Sequence, residues 1–328
     1  MNNANHLQRG GLMKRRISIL ALILGVFFAF TACTNKSKEN ISENIEEKIK
    51  IGVTIYPLKD FAEAIGGDKV EVFSIIPDGS DAHSFDPKPT DLKDLINSNL
   101  FIYNGLGMEE WIDSILKTLE GTEVKIVEAT TDIEPLAASE DDHSEEHGED
   151  HEEEGHSHGP HDPHVWLSLT DGAKEAENIK NVLVEVDSEN KEYYEANYEK
   201  LVAEMNRLKD NYAEKFKNIE NKNLVTGHAA FAYIARDFGL IQNSIADVYG
   251  EGELTPKDLE NLINYCKENN IKVIFNESTA SADASETLAN AVGASIEKLY
   301  SLETQEDNLS YIEAMEHNLE TIYTALSK

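Results

Sequence analysis

The chain has 328 residues, with 29 Lys and Arg against 62 Asp and Glu, a formal net charge of −33, and two cysteines. That length allows two domains and a sizeable core. So acidic a chain speaks against nucleic acid as a partner, because phosphate binding needs a cationic face. Cys266 falls in a helical pattern and has no second cysteine to pair with inside the fold, so stability must come from the core rather than from disulfides.

The first stretch reads as an export signal. Lys14-Arg15-Arg16 precede an apolar run, Ile17 to Phe30, and then Thr31-Ala32-Cys33. A basic region, a short apolar region and small residues before a cut describe a secretory leader, and the run is short for a membrane span. A cysteine at the cut looks like a bacterial lipoprotein box. Residues 1–32 are therefore expected to be removed and Cys33 lipidated, leaving the protein anchored on the outer face of the cytoplasmic membrane. Losing Arg9, Lys14, Arg15 and Arg16 leaves 25 basic against 62 acidic side chains, a net charge near −37. That suits cations and an extracytoplasmic surface. Residues 33–48 are polar and read as a tether.

Then the folded part begins. Ile49 to Tyr56 alternates and is β-branched, a strand. Leu58 to Ile65 is a short helix ending at Gly66-Gly67, and Lys69 to Ile76 a second strand stopped by Pro77-Asp78-Gly79. A loop from Ser80 carries His83. Thr90 is expected to N-cap a helix reaching Asn97. Leu100 to Tyr103 is a strand, Glu109 to Leu119 a helix and Val124 to Val127 a strand. Asp171 to Val186 is an amphipathic helix. Tyr194, Tyr198, Leu201, Met205, Leu208, Tyr212 and Phe216 then recur at spacings of three and four, predicting a helix of about 27 residues, near 40 Å long. Alternation restarts after it. Asn223 to Thr226, Ile271 to Phe275 and Ala294 to Tyr300 are strands; Ala229 to Phe238, Pro256 to Asn269, Ala282 to Val292 and Asn308 to Leu326 are helices. Strand–helix alternation implies parallel α/β sheets, here in two lobes tied by the long helix. The boundaries are 49–188 for the first lobe, 189–218 for the connecting helix and 219–328 for the second lobe.

The most distinctive stretch interrupts the first lobe. Glu140 to Asp162 holds six histidines (His143, His147, His151, His156, His158 and His161) among eleven Asp and Glu. A zinc-hydrolase motif fails there, since the second histidine it needs after His151-Glu152 falls on Gly155. With few apolar residues to offset the ordering of the chain, residues 139–161 should stay disordered when metal-free. Mobile imidazoles among carboxylates would hold metal weakly and exchange it fast, which makes this tract a candidate metal-gathering arm. Immediately after it comes Asp162-Pro163-His164-Val165-Trp166-Leu167-Ser168. Proline fixes its own φ and restricts Asp162, and Trp166 can wall off one side of the His164 ring, so this histidine is held in place.

His83, His164 and His228 all follow strands, in loops at what would be the carboxyl ends of the two sheets, where α/β folds bind ligands. His83 and His164 would come from one lobe and His228 from the other. Glu277 and Glu303 follow later strands in the same way. Three imidazoles and one carboxylate suit Zn²⁺, better than the oxygen-rich shells of Mg²⁺ and Ca²⁺, and Mn²⁺ usually wants more oxygen. Either glutamate could be the fourth ligand. Because imidazole must be neutral to bind, affinity should fall below about pH 6.5.

At these residues the chain resembles the substrate-binding lipoproteins of bacterial zinc and manganese ABC importers. The most specific pieces are Asp81-Ala82-His83-Ser84-Phe85-Asp86-Pro87-Lys88-Pro89, Asp162 to Ser168, Thr226-Gly227-His228-Ala229-Ala230-Phe231-Ala232-Tyr233, and Leu302-Glu303. The resemblance spans nearly all of Ile49 to Lys328. It implies two (β/α) lobes joined by one long rigid helix, a metal in the interlobe cleft, and delivery to a membrane permease. It also implies His83, His164, His228 and Glu303 as ligands. A histidine-rich acidic insertion marks the zinc-specific branch; the manganese branch has a carboxylate where this chain has His228. One departure is Ala82, where the family usually has proline. The reading is a zinc receptor without turnover chemistry, expected as a monomer. The rivals are the same receptor loaded with Mn²⁺, an envelope zinc hydrolase with Glu277 as its base, and a surface adhesin.

Overall fold

A computed structural model describes residues 48–138, 160–250, 255–277 and 282–328. In the first half, β1 (Ile49–Val53), α1 (Tyr56–Gly66), β2 (Val70–Ser74), α2 (Pro89–Ile96), β3 (Leu100–Tyr103), α3 (Ile112–Leu119) and β4 (Lys125–Glu128) build a sheet of four strands in the order β2-β1-β3-β4. Every pairing is parallel, with Ile49 opposite Val70 and Ile51 opposite Leu100. A single 3-10 turn, Val165–Leu167, then leads into α4 (Leu169–Val186) and α5 (Lys191–Phe216).

The second half repeats the plan. β5 (Asn223–Thr226), α6 (Ala232–Phe238), β6 (Ile241–Ser244), α7 (Pro256–Glu268), β7 (Val273–Glu277), α8 (Ala282–Val292) and β8 (Ser295–Leu299) give the order β6-β5-β7-β8, again all parallel. The helix α9 (Tyr311–Leu326) closes the chain. In each sheet the first strand is flanked by the second and the third. The path across the sheet reverses there, and the crevice beyond the carboxyl ends at such a reversal is where ligands bind.

The connecting helix earns its length through tertiary packing rather than propensity. Tyr194, Leu201, Met205, Leu208, Tyr212 and Phe216 form its buried stripe. They join one continuous core that includes Ile51 and Val53 of β1, Phe61 of α1, Trp166, Ile179 and Leu183 of α4, Phe275 of β7, and Leu319 and Ile322 of α9. The two sheets therefore share an interior. Removing a fully buried aromatic such as Trp166 from it would cost about 3–5 kcal/mol. Outer cores are separate: Phe101, Ile115 and Leu119 in one lobe, Ile274, Leu262 and the free thiol of Cys266 in the other. Among the described residues no helix is long and apolar enough to cross a membrane.

Four local expectations give way. Thr90 lies inside α2 rather than capping it: Pro89 takes the first helical turn, and Lys88 N donates to Asp91 Oδ2 at 2.8 Å. α3 starts at Ile112, not Glu109, because the Glu109 carboxylate is turned inward to accept from Asn104 N (2.8 Å) and Gly105 N (2.9 Å). α6 starts at Ala232, not Ala229, because Ala229 N donates instead to Asp247 O at 3.1 Å. The edge strand β6 was not expected at all. Its sequence is Ile-Gln-Asn-Ser, and Ile241 is 55% exposed, so no apolar face announces it.

Candidate metal centre

Each histidine arrives on a loop at the carboxyl end of a strand. His83 follows β2. Asp81 Oδ1 accepts from His83 N (2.9 Å) and Ser84 N (3.4 Å), an Asx turn that shapes the backbone without gripping the ring. His164 is gripped far more tightly. Asp162 Oδ1 accepts from both its backbone N (2.9 Å) and its Nδ1 (2.8 Å). Trp166 packs beside it, ring centroids 5.2 Å apart. Asn104 Nδ2 donates to Pro163 O (3.0 Å), and Ser168 Oγ caps α4 through Thr170 N and Asp171 N. His228 directly follows β5, with Thr226 Oγ1 donating to its carbonyl at 2.6 Å.

Glu303 follows β8 on the second lobe. Leu302 before it adopts φ 66°, a conformation that costs a residue with a branched side chain energy. Hydrogen bonds from the other half of the molecule hold it there: Trp166 Nε1 donates to Ser301 O (2.8 Å) and Tyr56 N to Glu303 O (3.0 Å).

These loops bring His83, His164, His228 and Glu303 together, one donor atom from each, all within 4.8 Å of one another. Glu303 Oε1 stands 3.9 Å from His83 Nε2, 3.7 Å from His164 Nε2 and 3.6 Å from His228 Nε2. Such separations are too long for hydrogen bonds. They are close to the ~3.4 Å expected between two ligands that each sit about 2.1 Å from one tetrahedral zinc. His164 Nε2, His228 Nε2 and both Glu303 oxygens are buried with no hydrogen-bond partner among the described residues. Buried polar atoms left this way are costly unless a cation is their partner.

Glu277, at the end of β7, lies behind His228 rather than in this group. Its Oε2 is 3.5 Å from His228 Nδ1 and accepts from His228 N at 3.3 Å. Three buried carboxylates shape the electrostatics: Asp162 on His164, Glu277 on His228, and Glu303 on both. Burial alone would lower His164, but Asp162 and Glu303 outweigh it and hold the imidazole above its ordinary 6.5. Burial works against charge at His228 too, yet Glu277 and Glu303 push it up to about 10. At Glu303 burial would favour the neutral acid, and the surrounding histidines instead hold it well below the usual carboxylate range.

His161 is described, joined to Ala137 by an antiparallel bridge. His143, His147, His151, His156 and His158 of the acidic tract lie outside the described residues, as do Cys33 and the leader. The sequence offered one further signal, an aspartate two residues before His164, and the structure shows Asp162 to be that ring's orienting partner. Tyr249 carried no such signal, yet its ring stands 5.7 Å from that of His83.

The chain is 36% identical over 319 residues to the high-affinity zinc uptake system protein ZnuA of Bacillus subtilis (strain 168), covering 96% of this chain and 99% of that one. Its fold matches a zinc(II)-bound variant of AdcAII of Streptococcus pneumoniae, with a TM-score of 0.75 and 30% identity over 85% of this chain and 98% of that one. It also matches the laminin-binding adhesin Lmb of Streptococcus agalactiae, with a TM-score of 0.76 and 28% identity over 85% and 99% of the two chains. A family model described as ZnuA, the periplasmic zinc-uptake complex component A, matches residues 51–325, and this chain belongs to that family.

Proposed function

We infer that this protein is an extracytoplasmic receptor that captures Zn²⁺ and hands it to the membrane permease of an ABC importer. The observation that supports this best is the set of four buried donors, three Nε2 atoms around one Glu303 oxygen at 3.6–3.9 Å. In this reading His83, His164, His228 and Glu303 are the four ligands. Glu277 stands behind His228, and Asp162 behind His164, as the partners that fix each ring's orientation. Lobe boundaries at 49–188 and 219–328, with 189–218 between them, put the first two histidines on one side of the ion and the other two ligands on the opposite side. Cys33 would carry the lipid that keeps the monomeric receptor beside its permease, and the histidine tract would gather metal weakly.

Donor chemistry separates the rivals. Three imidazoles and one carboxylate favour zinc over manganese. A shell completed by four protein ligands leaves no open position for a reacting water, so the site captures rather than hydrolyses. The likeness to a laminin-binding adhesin supports a second, additional role at the cell surface, which a laminin-binding assay on the purified protein decides. The test of the main reading is a zinc titration of metal-free protein with Mn²⁺ as competitor. One tight site that prefers zinc and loses its strength in His164→Ala is the expected result. Equal strength for both metals, or a tight site indifferent to His164, overturns it.

A further inference from the structure

His164, His228 and Glu303 are at most 2% exposed. The His83 side chain, 7% exposed, is the least buried of the four, so the shortest way from solvent to this site runs past His83. Tyr249 stands at that point. Its ring meets the His83 ring nearly edge-on, at 86° and 5.7 Å between centroids, and it is itself 5% exposed.

The backbone of Tyr249 belongs to the second lobe, on the loop after β6. Asp247 Oδ1 accepts from Tyr249 N (2.9 Å), while Asp247 O accepts from Ala229 N (3.1 Å), which ties this loop to the one bearing His228. The hydroxyl of Tyr249 reaches the first lobe and donates to His161 O at 3.0 Å. His161 sits in a narrow neck. It bridges Ala137, Asp162 N donates to Leu136 O (2.9 Å), and Ala138 N donates to Pro160 O (3.1 Å). The acidic histidine tract leaves and rejoins the fold at this neck. Burial pushes the Tyr249 phenol up to about 12, so it remains a donor throughout the physiological range.

We propose that Tyr249 gates the metal centre: its ring shields His83, and its hydroxyl bond to His161 latches that ring to the neck of the histidine tract. This rests on the zinc-receptor reading of the site. Opening the latch breaks the Tyr249–His161 hydrogen bond. Loading and release would then share one barrier, placed where the tract meets the fold.

The test compares wild type with Tyr249→Phe, which keeps the ring and removes the latch. Zinc loading and zinc transfer to a chelating dye are followed by stopped flow. Both rates are expected to rise together by about fivefold, the factor one ordinary net hydrogen bond is worth. A second readout uses no metal: diethyl pyrocarbonate modification of His83 in the metal-free protein, read by peptide mass mapping, should accelerate by a similar factor. Rates within twofold of wild type, or a release rate that rises without the loading rate, overturn the gate. So does unchanged His83 modification. A wild-type protein with no saturable zinc site would sink the receptor reading, while the His83 modification rate still decides the gate.

Discussion

The first lobe sends two histidines to the metal centre, and it holds them in opposite ways. The His164 ring is locked by Asp162 at 2.8 Å, walled by Trp166 and sealed from solvent. The His83 loop is shaped through its backbone by Asp81, and its ring, the least buried of the group, lies edge-on to Tyr249. A ligand whose orientation is fixed before the ion arrives loses little freedom on binding and contributes most of its bond strength. A ligand at the open side can adapt, and water can take its place. With His83 and His164 as ligands, the locked histidine is expected to govern affinity more than His83 does.

The largest expected effect tests what all three imidazoles share. Zinc needs them neutral, whereas carboxylates hold His164 and His228 protonated above their ordinary range in the metal-free protein. Zinc binding should therefore expel protons. The fall in affinity should begin well above pH 6.5: at tenfold per proton per pH unit His228 alone gives about a hundredfold between pH 7.5 and 5.5, and His164 adds to it. Chelator competition at the two pH values checks this; equal affinities would leave no imidazole site. Folding stability runs the other way. His228 is raised to about 10, so its stabilising effect on the metal-free protein is complete below pH 6.5. That effect disappears as pH climbs through 10, and thermal melts of metal-free protein should show it.

Next in size, His164→Ala removes the locked ligand and leaves the buried Asp162 carboxylate without its ring. Zinc affinity should fall by more than about 100-fold, beyond what losing an orienting partner costs. Asp162→Asn keeps the ligand but loosens its lock, and competition titration should find a loss of about 10–100-fold. His83→Ala should cost less than His164→Ala, about tenfold, because water can occupy the solvent side; a loss equal to that of His164→Ala would erase the contrast between the two loops. Smallest of all, excising residues 139–159 should change the tight site by less than about twofold while removing weaker, fast-exchanging sites from the zinc isotherm.

Much of this could be read from the chain itself. Both sheets, the long helix and the three clustered histidines are marked by patterns that local chemistry makes explicit: β-branched alternation, a stripe at spacings of three and four, and histidines after strands. The edge strand at Ile241 was invisible because it buries almost nothing. Whether Glu277 or Glu303 stands among the imidazoles depends on which way two side chains turn after two parallel strands, and on bonds from Trp166 and Tyr56 that join residues more than a hundred positions apart. Tyr249 likewise depends on a contact with His161 across 88 positions of chain. Periodicity reports what a segment does to its own faces and says nothing of partners that distant.

The fastening of Glu303 has a mechanical consequence. The carboxylate belongs to the second half of the protein, yet its backbone is pinned to the first by Tyr56 N and, one residue before the strained Leu302, by Trp166 Nε1. A force that pries the halves apart must rupture those bonds before it can withdraw the oxygen from the ion. The Glu303 oxygen therefore keeps its place beside the histidines only while the two halves stay fastened.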